Sequence, residues 1–575
     1  MKKLLQSPYS LIFVIAGLVL INWLASQWHA RLDLTAEKRY TISSATRELL
    51  QSLDEPVTVT VLLDGDLPAG FKKLAGSTRD MLQEFREISG SNIQFFFRQP
   101  GQGMHDTLKA ELIDSLHSMG INPTNVRART KAGEGEEQRL VYPGVIFEYQ
   151  DRVSAVDLLQ GQSSVDGINS LNNAEALLEY KLAGAIDKIR RDKVPVVAYL
   201  TGNGQPQRYE VYDLIERTLK PDYGFSILPV DSVPVIPDVF DALLIVKPQT
   251  GFSEAQKLKI DQYIMRGGKV VWMIDKLYAS LDSLQRSQGS FIAFEIGLNL
   301  DDLLFKYGVR INADLVQDLN CTQIPLAVGS MGNRPQLQLM PWVYFPLLSS
   351  PNDNPISKNL DYVLSQFPQS IDTIKAEGID KTILLASSVN TRILSTPAMV
   401  ELNSVKNEED MKAFTAVHMP VAVLLEGKFS SLFTNRITSG AKDSLTDIYN
   451  SPFQPVADSS NKMIVISDGD MVTNFVSQEK GPLQMGENPF THYQYANKEF
   501  FLNCMEYLVG NPGILETRGK DYTLRLLDKK QVDESRSFWQ AINIMLPVVL
   551  VILFALIYAA VNKRRYAGQK SYRKY

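Results

Sequence analysis

Near each end of the sequence runs an uncharged apolar stretch long enough to cross a lipid bilayer. Residues 9–28 read YSLIFVIAGLVLINWLASQW, and residues 538–561 read FWQAINIMLPVVLVILFALIYAAV. A hydrocarbon core of ~30 Å is spanned by about 20 apolar residues in a helix. An ionised side chain at its centre costs ~2.5–3.5 kcal/mol, so the lack of charge in both stretches is informative. Two such spans place the roughly 500 residues between them on one side of the membrane.

The flanking charges indicate which side. Lys2 and Lys3 precede the first stretch, and Lys563, Arg564, Arg565, Lys570, Arg573 and Lys574 follow the second with no acidic residue among them. Positive flanks stay in the cytoplasm. Residues 1–8 and the basic tail 562–575 are therefore expected inside, and the central body outside, in the periplasm of a cell with an inner membrane. Trp23 and Trp28, with Phe538 and Trp539, lie at the outer ends of the two stretches, as interfacial aromatics or as ordinary members of an apolar run. A cleaved signal peptide is the rival reading of the first stretch. The residues after its apolar core, Ala25, Ser26, Gln27, Trp28, His29 and Ala30, supply no good small-x-small cleavage site, and a retained anchor is expected.

The chain has 575 residues and a net charge of −5. Its length suggests three or four domains. Mild acidity, with no basic patch interleaved with aromatics, argues against nucleic acid as a partner. The two cysteines, Cys321 and Cys504, are far apart in sequence; one disulfide is allowed in an oxidising compartment, and buried small apolar residues are the other reading. No cysteine or histidine spacing suits a metal, and no cofactor motif is present.

The body reads as α/β. Ser43 or Ser44 can cap a helix over 45–53. Strands are expected at 57–63 and 93–97, helices at 71–88 and 107–119, and a hairpin from 139–149 and 152–158 turning at Gln150 and Asp151. The run 131–137 reads as an exposed loop. These make an N-terminal α/β domain, 31–170, before a helix at 172–191 that leads into the second domain. From 171 to 520 the pattern alternates: strands at 194–200, 225–229, 242–247 and 269–274, with helices at 209–219 and 253–266. Short apolar strands alternating with helices predict a doubly wound parallel sheet. The region 289–380 is rich in Pro, Asn and Gly and reads as an insertion or separate lobe. Strands are expected again at 382–387, 421–426 and 463–467, a polar loop at 434–459, a closing helix at 497–509, and a charged connector at 521–537.

Candidate chemistry is sparse. The loop Thr201, Gly202, Asn203 and Gly204 follows a buried strand, where doubly wound sheets bind ligands; its two glycines admit a ligand to the backbone or simply make a turn. Asp468 and Asp470, in Ser467-Asp468-Gly469-Asp470, are carboxylates that suit a cation or an ordinary Asp-Gly turn. Cys321 and Cys504 do not sit on a strand-to-helix elbow between small residues. His29, His105, His117, His418 and His492 have no partner ligand nearby in sequence. There is no Walker A motif, so the chain is not itself a P-loop ATPase. In the second apolar stretch, Ala555 and Ala559 form a small-xxx-small face that permits close helix approach.

The segment RLDLTAEKRYTIS at 31–43 resembles the GldG family, gliding-motility-associated auxiliary subunits of ABC transporters from Bacteroidetes. AYLTGNG at 198–204, YIMRGGKVV at 263–271 and NKEFFLN at 497–503 carry the resemblance further, nearly end to end. Asn203 and Gln205 stand where the wider family often has a histidine or an acidic residue. The resemblance implies a central domain like the class I glutamine amidotransferases without their catalytic apparatus. It also implies a separately encoded ABC permease and cytoplasmic ATPase as partners, with room for a homo-oligomer in the complex. A non-catalytic, substrate-binding or coupling subunit follows. The alternative is a membrane-tethered hydrolase or amidotransferase relative acting on envelope material. Reporter fusions or protease protection in spheroplasts are expected to place both termini inside and residues 30–537 outside; a mature chain beginning after Ala25 or Ser26 would overturn two anchors.

Overall fold

Runs of β-branched and aliphatic residues build two principal sheets, and their alternation decides what each face packs against. The computed structural model describes residues 16–20, 41–121, 123–129, 136–159, 167–287, 289–331, 334–402, 408–519 and 529–567. Most of the expected first span, and the 131–135 part of the expected loop, lie outside the described residues; residues 16–20 are helical.

The first sheet contains β1 (Val57–Val61), β2 (Ile93–Phe97), β3 (Gly144–Tyr149) and β4 (Arg152–Asp157). Their order is β2-β1-β3-β4. β1 and β2 are parallel, joined by the helix Ala69–Ile88, while β3 and β4 form an antiparallel hairpin. That helix buries Phe71, Leu74, Ala75, Thr78, Leu82 and Phe85, a stripe at helical spacing. Ser43 caps the preceding helix, Ser44–Gln51, by accepting from Thr46 N at 3.2 Å. The expected strand 139–149 is divided: Glu136–Val141 pairs with Thr124–Arg129 in a separate hairpin, and the chain turns at Pro143, which has no ladder donor.

The second sheet holds β5 (Val196–Thr201), β6 (Gly224–Pro229), β7 (Ala242–Val246), β8 (Lys269–Met273), β9 (Ile379–Ala386), β10 (Pro420–Gly427) and β11 (Asn461–Ile466). The order is β9-β10-β11-β8-β7-β5-β6. Adjacent strands from β11 to β6 are parallel. β10 runs against both neighbours, a departure from the all-parallel expectation. The reason is topological: β9 ends among the lobe residues at the carboxyl edge of the sheet, so the chain re-enters β10 from that edge and must run back down.

Alternation gives this sheet two cores. Ala242, Leu244, Val246, Val271 and Met273 face one side with Val211, Leu214, Leu219, Phe500, Phe501 and Cys504. Leu243, Ile245, Val270 and Trp272 face the other with Ile260, Tyr263, Ile264, Leu303 and Tyr307. Helices thus cover both faces, the doubly wound arrangement read from the sequence. The expected helix 209–219 is a short 3-10 turn, Arg208–Val211, followed by a π-helical turn, Asp213–Leu219. Asp213 N donates to Asn474 Oδ1 at 3.1 Å and Asp213 Oδ2 accepts from Met485 N at 3.0 Å, which pins the widened turn to a distant segment.

Between β8 and β9, and again between β9 and β10, the chain forms a β lobe. It extends beyond the expected 289–380 to include Leu277–Tyr278 and Ala398–Glu401. Its longest feature is the hairpin Cys321–Met331 with Arg334–Leu348. At the base of that hairpin Trp342, Tyr344 and Phe345 cluster on Phe367, with ring centroids 5.5–6.0 Å from it. The supposed polar loop 434–459 contains a helix, Ser439–Asp447. The C-terminal residues are a separate unit. Here Lys529–Ala567 is one helix, so the expected connector is helical from Lys529 onward. Within it Phe538–Arg564 contains an 18-residue stretch of mean hydropathy 2.9, long and apolar enough to cross a membrane.

Gly268 is required by close approach. A Cβ there would stand 2.3–2.5 Å from ring carbons of Tyr263, whose hydroxyl donates to Phe240 O at 3.0 Å. Gly268→Ala is expected to destabilise the body by ~1–3 kcal/mol, read as a lowered midpoint in urea; an unchanged midpoint would show that the ring can move aside.

Candidate functional site

The parallel strands run in the order β6-β5-β7-β8-β11, so strand order reverses between β5 and β7. Open α/β sheets place ligands outside the carboxyl ends of the strands at such a reversal. Here those ends carry two linked polar arrangements beneath the lobe.

The first is a buried ion cluster. Lys247 follows β7 directly and holds a φ of +44°, a conformation uncommon for a lysine. Its Nζ lies 2.5 Å from Asp470 Oδ2 and 3.4 Å from Asp275 Oδ2. Asp275 follows β8 by two residues and accepts from Gly469 N at 2.5 Å. Asp468, fully buried, follows β11; its Oδ2 accepts from Ser365 Oγ at 2.5 Å and Gln366 N at 2.8 Å, and its Oδ1 accepts from Asp470 N at 2.8 Å. Gly469 has to be glycine, because a Cβ would stand 2.7 Å from Lys247 Cβ.

The charges are coupled. Burial raises the Asp468 carboxyl well above the usual range, and the nearby Asp275 and Asp470 carboxylates raise it further. Burial raises Asp275 to about 6, opposed by the Lys247 ammonium and reinforced by Asp470. Burial alone would depress Lys247, but Asp470 and Asp275 outweigh it and push the lysine up. The ammonium is thus the cation of this cluster. Among the described residues no group of three or more His, Cys, Asp or Glu side chains is arranged to hold a metal.

The second arrangement is the loop Thr201, Gly202, Asn203 and Gly204, at the end of β5. Gly202 and Gly204 have φ of +128° and +74°. Asn203 O accepts from Gln249 N at 2.7 Å and Thr250 N at 3.1 Å. Asn203 Nδ2 donates to Gly251 O and to Gln256 Oε1, both at 3.2 Å. Gln256 also closes the capping box with Ser253 at the start of Glu254–Met265. The loop is therefore bolted to the next helix cap. Asn203 Oδ1 and Gln205 Nε2 remain buried without a hydrogen-bond partner among the described residues. Gln249 Nε2 donates to Lys247 O at 3.2 Å and joins the two arrangements.

The fold thus brings Asp468 and Asp470 together with two residues that sequence reasoning missed, Lys247 and Asp275. Their only sequence signal was position, each at the end of a buried strand. The other candidates lie apart. Cys504 is buried within Asn497–Val509 and Cys321 is half-buried in the lobe; both are free thiols. Burial raises Cys321 to about 12 and Cys504 further still. His418 Nδ1 lies 3.2 Å from Ser387 O, and His492 Nδ1 lies 3.4 Å from Glu487 Oε1. Ala555 and Ala559 sit one turn apart on the C-terminal helix.

The sequence model of the family described as "ABC-type uncharacterized transport system" matches residues 194–504, which holds the whole second sheet and the cluster. The chain belongs to this ABC transporter auxiliary family. A second model, a domain of unknown function (DUF7088), matches residues 36–148. A protein of Borreliella burgdorferi (strain B31), described as uncharacterized, is 21% identical over 431 residues, covering 72% of this chain and 76% of that one. A solved structure, the mmIFT52 N-terminal domain, is matched over 54% of this chain and 94% of its own at 12% identity; its TM-score of 0.28 carries no argument about the fold.

Because folding raises the Asp275 carboxyl from its ordinary 3.8 to about 6, the folded state binds this proton more tightly than the unfolded chain. That contribution to stability is fully present below the ordinary value and is lost as pH rises through the folded one. Asp275→Asn is therefore expected to gain thermal stability relative to the natural protein as pH rises from about 4 to about 7.5. A difference in Tm that does not change with pH would contradict the assignment. Lys247→Met leaves the carboxyls without their cation and is expected to cost about 3–5 kcal/mol at neutral pH, and less in acid.

Proposed function

We propose that this chain is a non-catalytic auxiliary subunit of an ABC transport system, anchored in the inner membrane by residues 9–28 and 538–561, with its body periplasmic. The observation that carries this reading is the family match over 194–504 in a chain that also has the apolar helix Phe538–Arg564. Two features support it. Both ends of the body meet: Ile42 and Ile514 share one core, and Gly513 packs against Ala45 Cβ. Chain ends that leave side by side suit two neighbouring spans. In addition, Lys247, Asp275, Asp468 and Asp470 at the carboxyl edge of the sheet are engaged with one another, and the two thiols, Cys504 buried and Cys321 half-buried, are raised in pKa, which suits structure better than nucleophilic chemistry.

A permease and a cytoplasmic ATPase supply the transport cycle in this reading, and the body couples to them through its spans, with Ala555 and Ala559 packed on the permease. We read the second sheet as a class I glutamine amidotransferase-like domain that has lost catalysis, and the association with gliding as of the GldG kind. Any small-ligand contact belongs at Thr201, Gly202, Asn203 and Gly204, where Asn203 Oδ1 and Gln205 Nε2 have no hydrogen-bond partner among the described residues. The domain limits 31–170 and 171–520 remain our proposed division, with the insertion widened from 289–380 to take in Leu277–Tyr278 and Ala398–Glu401.

Affinity purification of the full chain from native membranes in mild detergent tests the reading. Permease and ATPase subunits are expected to co-purify, and Ala555→Leu with Ala559→Leu is expected to lower permease recovery several-fold. Recovery of intact chain with neither subunit would overturn the proposal; unchanged recovery of the double variant would remove that face alone.

A further inference from the structure

The small sheet of the β lobe is mainly apolar on both faces, with Ser290 and Glu401 paired at one end of the open face. Its strands, Leu277–Tyr278, Ser290–Glu295 and Ala398–Glu401, pair antiparallel. Leu277, Ala293, Ala398 and Val400 fill the lobe core. Tyr278 lies opposite Phe294, and Ile292 opposite Met399, so these four share the other face. They are 42%, 56%, 54% and 55% exposed. The Tyr278 and Phe294 rings stack with centroids 5.4 Å apart. An antiparallel sheet with one wet face ordinarily puts polar residues there.

The same lobe carries a second uncovered apolar surface. From 321 to 348 the sequence has one formal charge, Arg334. In the hairpin formed by this segment Leu339 lies opposite Pro325 and Leu337 opposite Ala327, so the four share one face of a two-stranded ribbon. Leu337 is 61% and Leu339 40% exposed. A two-stranded ribbon is marginal by itself in water. Pro325, Pro335 and Pro341 remove backbone donors from the two strands, which disfavours edge-to-edge pairing and leaves the side-chain face as the contact surface.

We propose that the ribbon of one copy of this chain docks on the open sheet face of a second copy, and that the two copies exchange this contact about a two-fold axis. The areas argue for a reciprocal arrangement. The sheet face offers on the order of 450 Å² of apolar surface and the ribbon roughly 250 Å². Neither approaches the ~800 Å² per partner of a stable interface, whereas the two together come near it. In a two-fold pair each copy contributes both surfaces, so both are buried at once. The proposal draws on the anchoring reading only for the concentration that two copies in one membrane would have.

The test uses two differently tagged full-length chains in a Cys321→Ala background, one with Leu337→Cys and the other with Ile292→Cys, co-expressed and oxidised in native membranes. A disulfide joining the two tags is expected. Pairing Leu337→Cys with Asp447→Cys, exposed on the helix Ser439–Asp447, is expected to give at least ~10-fold less. Leu337→Lys, placed on the ribbon away from the lobe core, is expected to abolish self-association measured by sedimentation in detergent while leaving the thermal midpoint unchanged. Equal cross-linking at Asp447→Cys, no cross-link at all, or self-association that survives Leu337→Lys would each overturn the proposal. Co-purification of permease and ATPase is read from the same membranes, so failure of the contact and failure of the transporter reading are told apart.

Discussion

Asp468 is the point at which the parallel sheet, the β lobe and the buried ammonium are held together. It is fully buried and could not remain so without partners, since an unsatisfied carboxyl there would carry a large desolvation cost. Its acceptors are filled by Ser365 and Gln366 from the lobe and by Asp470 from its own turn. Neighbouring contacts extend the clamp: Gln369 N donates to Ser467 O at 3.1 Å, and Lys276 N donates to Gln369 Oε1 at 2.9 Å. Asn497, at the start of the closing helix, accepts from Leu364 N and donates to Leu364 O and Met471 O, each within 2.9 Å. The lobe is thus fastened to the sheet by side chains that fill the backbone and charge requirements of strand ends.

That fastening shapes the chemistry. The carboxyl edge of a doubly wound sheet is where ligands are ordinarily received. Here the lobe covers it, Lys247 neutralises the carboxylates, and Asn203 is spent on tying β5 to the cap of Glu254–Met265. The position used by many α/β enzymes for catalysis is occupied by structure, in keeping with an auxiliary subunit. The lobe in turn presents its own uncovered apolar surfaces, at Tyr278, Ile292, Phe294 and Met399 and at Leu337 and Leu339.

Much of this architecture was legible in the chain. β7 and β8 are short aliphatic runs buried on both faces, and their two-residue period assigns Leu243 and Leu244 to opposite cores without further information. The helix Ala69–Ile88, the capping Ser43 and the helix Asn497–Val509 follow from local spacing in the same way. The lobe was read poorly because prolines and amides interrupt its long hairpin, whose stability comes from cross-strand partners and the aromatic cluster around Phe367. The π-helical turn at Asp213 was invisible for a similar reason: Asn474 and Met485, its partners, are remote in sequence.

The sequence by itself determined the membrane-length apolar stretches, the doubly wound sheet and the loops at its strand ends, because each depends on hydrophobic length or period within a few residues. Only the tertiary structure decided the reversed direction of β10, the union of Lys247 with Asp275, Asp468 and Asp470, and the open face shared by Tyr278, Ile292, Phe294 and Met399. Each of these is a meeting of distant segments; Lys247 and Asp470 are 223 residues apart. No local pattern encodes such a pairing. It follows from which strand ends the folded sheet places side by side, and from the need of buried charges there to find one another.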